Sequence, residues 1–144
     1  MTATPARWLL KSEPETYAFA DLVRDGRTVW DGVRNAQAAN FLRAMRPGDQ
    51  ALFYHSGDER AVVGLATITR EAFPDPGDMA GRFVAVEVSA LRPLKAPVTL
   101  AAMKAEPALS GMIMLRQSRL SVAPVSAAEW AAILAMAGEA EAES

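Results

Sequence analysis

The apolar stretches of this chain are short, and turn-forming residues close almost every one of them. Residues 7–11 form an apolar run that stops before Pro14, which fits a buried strand leaving into a loop. Residues 28–30 read as a brief strand ended by the turn Asp31-Gly32. Residues 50–55 and 61–69 flank Ser56-Gly57-Asp58-Glu59 and read as a hairpin. A loop over 73–81 precedes an alternating strand at 83–90, and 120–125 is the last strand. Helices are predicted at 19–23, packing Phe19, Leu22 and Val23 before a stop at Gly26, and from the N-cap Asn35 through Met45. Two more are predicted at 100–105 and from Ser126 through Met136, where Ser126 and Glu129 have capping-box spacing. Residues 108–114 stay unassigned.

Five or six short strands and four short helices, without regular strand and crossover-helix alternation, exclude a doubly wound sheet. They fit a small, strongly bent sheet or barrel with helices packed on it. A length of 144 residues is too short for two independent cores, and neither a repeat nor a linker interrupts it. The expectation is one domain over 1–144, with a core at 7–137 and an acidic tail at 138–144.

Composition narrows the chemistry. With 51% hydrophobic and 22% charged residues the chain is neither a disordered tail nor a coiled coil. A net charge of -2 excludes a polycation that coats nucleic acid. It leaves room for a locally basic cleft, because carboxylates elsewhere offset it, among them Glu139, Glu141 and Glu143 in a tail that reads as solvated. The absence of cysteine removes disulfides, thiolate metal sites and cysteine nucleophiles. The single histidine, His55, removes any two-histidine metal site. Neither a metal nor a cofactor is expected. No apolar run reaches the ~20 residues of a spanning helix. Residues 1–7 lack the apolar core of a signal peptide, so a cytoplasmic location is expected.

Nucleotide-hydrolysing and dinucleotide-binding motifs are missing, as are the zinc-protease and serine-hydrolase motifs. What remains are polar clusters at strand ends. Lys11-Ser12-Glu13-Pro14 puts an amine, a hydroxyl and a carboxylate where the first strand exits; a solvated loop would look the same. Trp30-Asp31-Gly32-Val33-Arg34-Asn35 sets an indole before a tight turn. Trp30 could fill a core or form a stacking wall for a planar ligand, with Arg34 on a phosphate and the Asn35 amide on a base edge. Phe53-Tyr54-His55-Ser56 ends a strand, and Tyr54 with His55 is either a satisfied structural pair or a polar pocket mouth. Arg116 to Ser121 carries Arg119 and Ser121, either a charged surface run or a phosphate seat.

The order and wording of these clusters resemble the EVE domain family. The matching stretches are Trp8-Leu9-Leu10-Lys11-Ser12-Glu13-Pro14, Trp30-Asp31-Gly32-Val33-Arg34-Asn35, Phe53-Tyr54-His55-Ser56, Val63-Gly64 and Phe73-Pro74-Asp75. Arg119-Leu120-Ser121-Val122-Ala123-Pro124-Val125 with Glu129-Trp130 completes them, so the resemblance covers nearly the whole chain. It implies an α+β, PUA-like fold: a bent, partly closed β-barrel of five or six strands flanked by short helices. It also implies a reader of modified bases, notably modified cytosines such as 5-methylcytosine, whose partner is DNA or RNA with the base extruded into a cleft. Carried onto this chain, the base site is Ser12, Trp30, Val33, Asn35, Tyr54, His55 and Ser121, and the phosphate site is Lys11, Arg34 and Arg119. Two departures stand out. Ala36 follows the Val-Arg-Asn run where relatives often have an aromatic, and the segment between Pro74 and Phe83 is short, which predicts a more open wall.

Two other classes remain. A nucleoside amidohydrolase, by analogy with ASCH relatives, would use Lys11, Ser12 and Glu13, although strand alternation sends Ser12 to the opposite face. A protein-interaction module would draw on exposed methionines at Met112, Met114 and Met136. The oligomeric state is open between a monomer and a weak dimer.

Overall fold

The computed structural model describes residues 6–139. Its elements run β1 (Arg7–Ser12), α1 (Phe19–Asp25), β2 (Arg27–Trp30), α2 (Ala36–Ala44), β3 (Gln50–His55), β4 (Ala61–Pro74) and β5 (Val84–Thr99). They continue with α3 (Leu100–Ala105), a 3₁₀ turn (Pro107–Leu109), α4 (Ile113–Arg116), β6 (Val122–Val125) and α5 (Ala127–Met136). The strands form one mixed sheet in the order β2-β5-β4-β3-β1-β6. Every neighbouring pair is antiparallel except β1 with β3.

The sheet is not closed. β2 and β6 are its two edges, and no ladder joins them among the described residues. This corrects the partly closed barrel expected from the resemblance. Helix α2 packs against β4, β5 and β6, so helical side chains rather than a backbone ladder cover this side. The bend comes from β4 and β5, whose pairing slips at four places between Val62 and Phe73. Each bulge adds an unpaired residue and increases the local twist.

These slips also explain the largest departure from the sequence reading. β5 runs on past Ala90 to Thr99 through Pro93 and Pro97. Proline cannot donate to a ladder and is tolerated only at edges and irregularities; Pro93 sits opposite Gly64, beside two of the slips. β4 likewise continues to Pro74, and the last strand begins at Val122 rather than Leu120. Residues left unassigned become the 3₁₀ turn and α4.

Local signals are met where groups within four residues satisfy one another. Asn35 Oδ1 accepts the Ala38 N–H at 2.9 Å, and Ser126 and Glu129 form the reciprocal capping box. Gly26 stops α1 at φ 80°, and Gly32 turns the chain at φ 80°. Val23, expected to pack, is exposed instead. Met112 and Met114 are buried, which removes them from any exposed methionine surface. The tail expectation fails at Glu139: its carboxylate is largely buried, accepts the Lys95 N–H at 2.6 Å and pairs with Arg92. Burial alone would raise its pKa, but these donors outweigh burial and hold it below the usual range. Glu141 and Glu143 lie outside the described residues. No helix among the described residues is long and apolar enough to cross a membrane.

The core holds Leu9, Leu10, Leu22, Leu42, Leu52, Phe53 and Ile68, all without exposed surface. Phe19 docks α1 onto the sheet, edge-on to Phe53 at 5.3 Å and directly over Gly64. A Cβ at Gly64 would fall 2.5 Å from the Phe19 ring. Gly64→Ala is therefore expected to destabilise the fold by about 1–3 kcal/mol through overpacking. A denaturant midpoint indistinguishable from the parent would refute that contact.

Candidate functional site

A cavity of about 860 Å³ opens where β1 and β2 end. Its wall comes from three places: Lys11, Ser12, Glu13, Thr16 and Tyr17 around the exit of β1; residues 28–35 along β2 and its turn; and Ser121 before β6. The Lys11 N–H donates to the Ser121 carbonyl at 3.0 Å, which ties the first and third segments together.

Trp30 is packed in the core and also borders the cavity. It is only 9% exposed and stands edge-on to Phe53 at 5.5 Å, yet it lines the cavity. The turn after it is pinned from a distance. Asp75, whose side chain is 1% exposed, accepts the Gly32 N–H at 2.8 Å, Arg34 Nη1 at 2.8 Å and the Gly77 N–H at 2.7 Å. Burial would raise the Asp75 pKa, but Arg34 and the two backbone donors more than offset it and hold the carboxyl below the usual range. The same bond raises the pKa of Arg34, whose guanidinium also lies over the Phe83 ring at 5.4 Å. Arg34 is thus already paired, a brace for the cavity wall rather than a free cation.

The remaining polar groups differ in what they have left to offer. Asn35 spends its Oδ1 on the helix cap, which leaves its two amide N–H donors. Ser12 donates its hydroxyl proton to the Tyr17 carbonyl at 2.6 Å, which leaves oxygen lone pairs as acceptors. Lys11 Nζ donates to the Ser118 carbonyl at 2.9 Å and lies 5.7 Å from the Tyr54 ring. Burial lowers the pKa of this lysine. Ser12 was expected to point away from Lys11 and Glu13, yet all three border the cavity, because the strand ends here.

Three expected site residues fall elsewhere. His55 is buried: its Nε2 accepts the Phe19 N–H at 3.0 Å, so Nδ1 carries the proton toward Glu59 Oε1 at 2.8 Å. It anchors the start of α1 and does not line the cavity. Tyr54 belongs to a neighbouring cavity of about 320 Å³ on the far side of Lys11, where burial raises its pKa. Arg119 lines a third cavity, of about 260 Å³, which Asn35 shares with the main one. For the two residues on β3, burial on both faces of the strand explains the misplacement: His55 is claimed by α1 and Tyr54 by the neighbouring cavity.

A family model for the EVE domain matches residues 6–136. The chain belongs to the EVE domain family. Likeness also holds in three dimensions: a protein of Rhodopseudomonas palustris matches with a TM-score of 0.88 at 50% identity, over 92% of this chain and 93% of that one. Human thymocyte nuclear protein 1 is 34% identical over 165 residues, covering 91% of this chain and 73% of that protein. The crystal structure of human THYN1 in complex with 5-methylcytosine-containing DNA matches with a TM-score of 0.87 at 32% identity, over 94% of this chain and 99% of that one.

Sequence reasoning missed the part Asp75 plays in this EVE domain, although Phe73-Pro74-Asp75 belonged to the resemblance. An aspartate three residues before another, in a stretch with Pro and Gly, has the look of any solvated loop. It also missed Thr16 and Tyr17, which reach the cavity in the turn after β1, where both of their N–H groups donate to the Glu13 carbonyl at 2.9 Å.

Proposed function

We propose that this EVE domain binds nucleic acid containing a modified base, and that the base, a 5-modified cytosine in DNA, is extruded into the cavity between β1 and β2. The observation that carries the reading is the wall itself. Trp30 offers an apolar face and Asn35 an uncommitted pair of N–H donors, in a chain that matches THYN1, solved with 5-methylcytosine-containing DNA, over 94% of its length. At about 860 Å³ the cavity lies within the ~300–1,000 Å³ typical of small-ligand sites. Stacking on Trp30 and Val33 holds the ring, worth ~1–3 kcal/mol per base. Asn35 donates to an acceptor on the base edge, and Ser12 and Ser121 accept from its exocyclic amine. Lys11 on one side and Arg119 on the other meet the flanking phosphates. Arg34 acts through Asp75, holding the turn that carries Asn35. With so few phosphate contacts, affinity is modest and falls with salt. One such unit spans residues 6–136, the extent of the family match.

The test is binding to short DNA and RNA strands carrying a plain, 5-methyl, 5-hydroxymethyl or N6-methyl base, read by fluorescence anisotropy. Preference for a 5-modified cytosine in DNA is expected; equal affinity across the panel would reject base reading. Asn35→Asp sharpens the test, because aspartate caps a helix as well as asparagine does but replaces the N–H donors with acceptors. The thermal midpoint should hold while affinity for the modified strand drops about tenfold or more, the size of a lost base-edge contact. Unchanged affinity would remove Asn35 from the base site.

A further inference from the structure

The second cavity, beyond Lys11, is lined by three cations and no carboxylate. Lys11, Arg60 and Lys104 border it, with Ser56 and Ser118 supplying polar groups and the Tyr54 ring part of the floor. Elsewhere in the described residues, Arg24, Arg27, Arg34, Arg46 and Arg92 are each paired with a carboxylate. Lys11, Arg60 and Lys104 make no such pair among the described residues. Arg60 and Lys104 also border an adjoining cavity that holds Asp58 and Glu59, yet neither cation pairs with either carboxylate among the described residues, and Glu59 is held by His55.

Two further observations mark this cavity. Arg60 sits at φ 47°, a left-handed conformation that glycine or asparagine would adopt with less strain. A strained arginine kept at a cavity rim points to a use for its charge. Lys11 borders both this cavity and the base cavity, so the two are separated by one side chain. Burial lowers its pKa, and a polyanion beside it would favour the charged form.

We infer that this second cavity is a phosphodiester seat, in which Arg60 and Lys104 hold the strand phosphate next to the extruded base while Lys11 bridges the two sites. The inference rests on the nucleic-acid reading and extends it to two residues that the sequence clusters did not contain. Guanidinium and ammonium groups around two serines match a phosphate in charge and in hydrogen-bonding capacity.

The experiment is a salt titration of binding to a short single-stranded DNA with one central 5-methylcytosine, and to the same strand with plain cytosine. It compares the parent, the double variant Arg60→Gln/Lys104→Gln and Lys95→Gln. Arg60 and Lys104 are exposed, so the substitutions leave the fold intact, which the thermal midpoint verifies. Lys95 lines neither cavity and controls for lost charge. The expected result is a log affinity against log salt slope shallower by about 0.7 for each lost cation in the double variant, and unchanged in Lys95→Gln. A slope in the double variant equal to that of the parent overturns the seat. So does an equal change in Lys95→Gln, which would mean diffuse charge. The methylated-to-plain ratio reads the base cavity separately. If the ratio is one while the slope still falls, base reading fails and the phosphate seat stands.

Discussion

Replacing Asp75 with alanine is expected to destabilise the domain by about 2–4 kcal/mol and to abolish modified-base binding. The carboxylate is buried and accepts three hydrogen bonds, from Gly32, Arg34 and Gly77. Its loss leaves two backbone donors and a guanidinium without their partner, and breaking a buried charge pair costs about 3–5 kcal/mol. The figure is discounted because Arg34 is 42% exposed, and water takes over part of its solvation. The binding loss follows from position: the bonds hold the Gly32–Asn35 turn, one whole wall of the cavity. The sign of the pH effect follows as well. The carboxyl titrates below its ordinary value in the folded protein, so its stabilisation is complete above the unfolded value of about 4 and is lost as pH falls through the folded value. Urea unfolding at neutral and acid pH reads both effects. The gap between parent and Asp75→Ala should narrow in acid, and a gap independent of pH would show that Asp75 does not act as an ionised acceptor.

Trp30→Ala is expected to cost more, about 3–5 kcal/mol, the range for deleting a large buried ring. The indole is packed edge-on to Phe53, so its removal opens a hole in the core as well as taking away the stacking wall. A binding loss in this variant would therefore not separate stacking from unfolding. Trp30→Phe keeps an aromatic ring on the cavity with a smaller loss of packing. It should retain most of the stability and a reduced preference for the modified strand. If Trp30→Ala unfolds at the parent's denaturant midpoint, the ring is not part of the core, and if Trp30→Phe binds as the parent does, the indole face is not the stacking wall.

These two residues also mark how far the candidate site was legible in the residues. Trp30, Val33, Arg34, Asn35, Lys11, Ser12 and Ser121 line one cavity, as the clusters led one to expect. Each cluster sits at a strand end, and strand ends on one side of a sheet converge. His55 and Tyr54 matched the same family wording but are turned into the core and into the neighbouring cavity. A histidine beside a tyrosine carries no mark of which neighbour will claim its ring nitrogens. Arg34 carried a phosphate role until its partner was visible, and that partner lies 41 residues away.

The same division runs through the fold. The caps of α2 and α5, the stop of α1 at Gly26 and the turn at Gly32 were legible in the residues, because each is settled by groups a few residues apart. The α+β class was legible as well, but not the length of β4 and β5, which at 14 and 16 residues exceed the short strands expected. That the sheet stays open was not legible, since it depends on where bulges in β4 and β5 bend it and on α2 covering one side. Which polar groups remain free depends on contacts made across the fold. Lys11 spends one of its three donors on Ser118 across 107 positions, and the Gly32 N–H is spent on Asp75 across 43. Contacts of that separation leave no periodicity in the chain, and they settle whether a charged or polar side chain is held as a strut or left to meet a ligand.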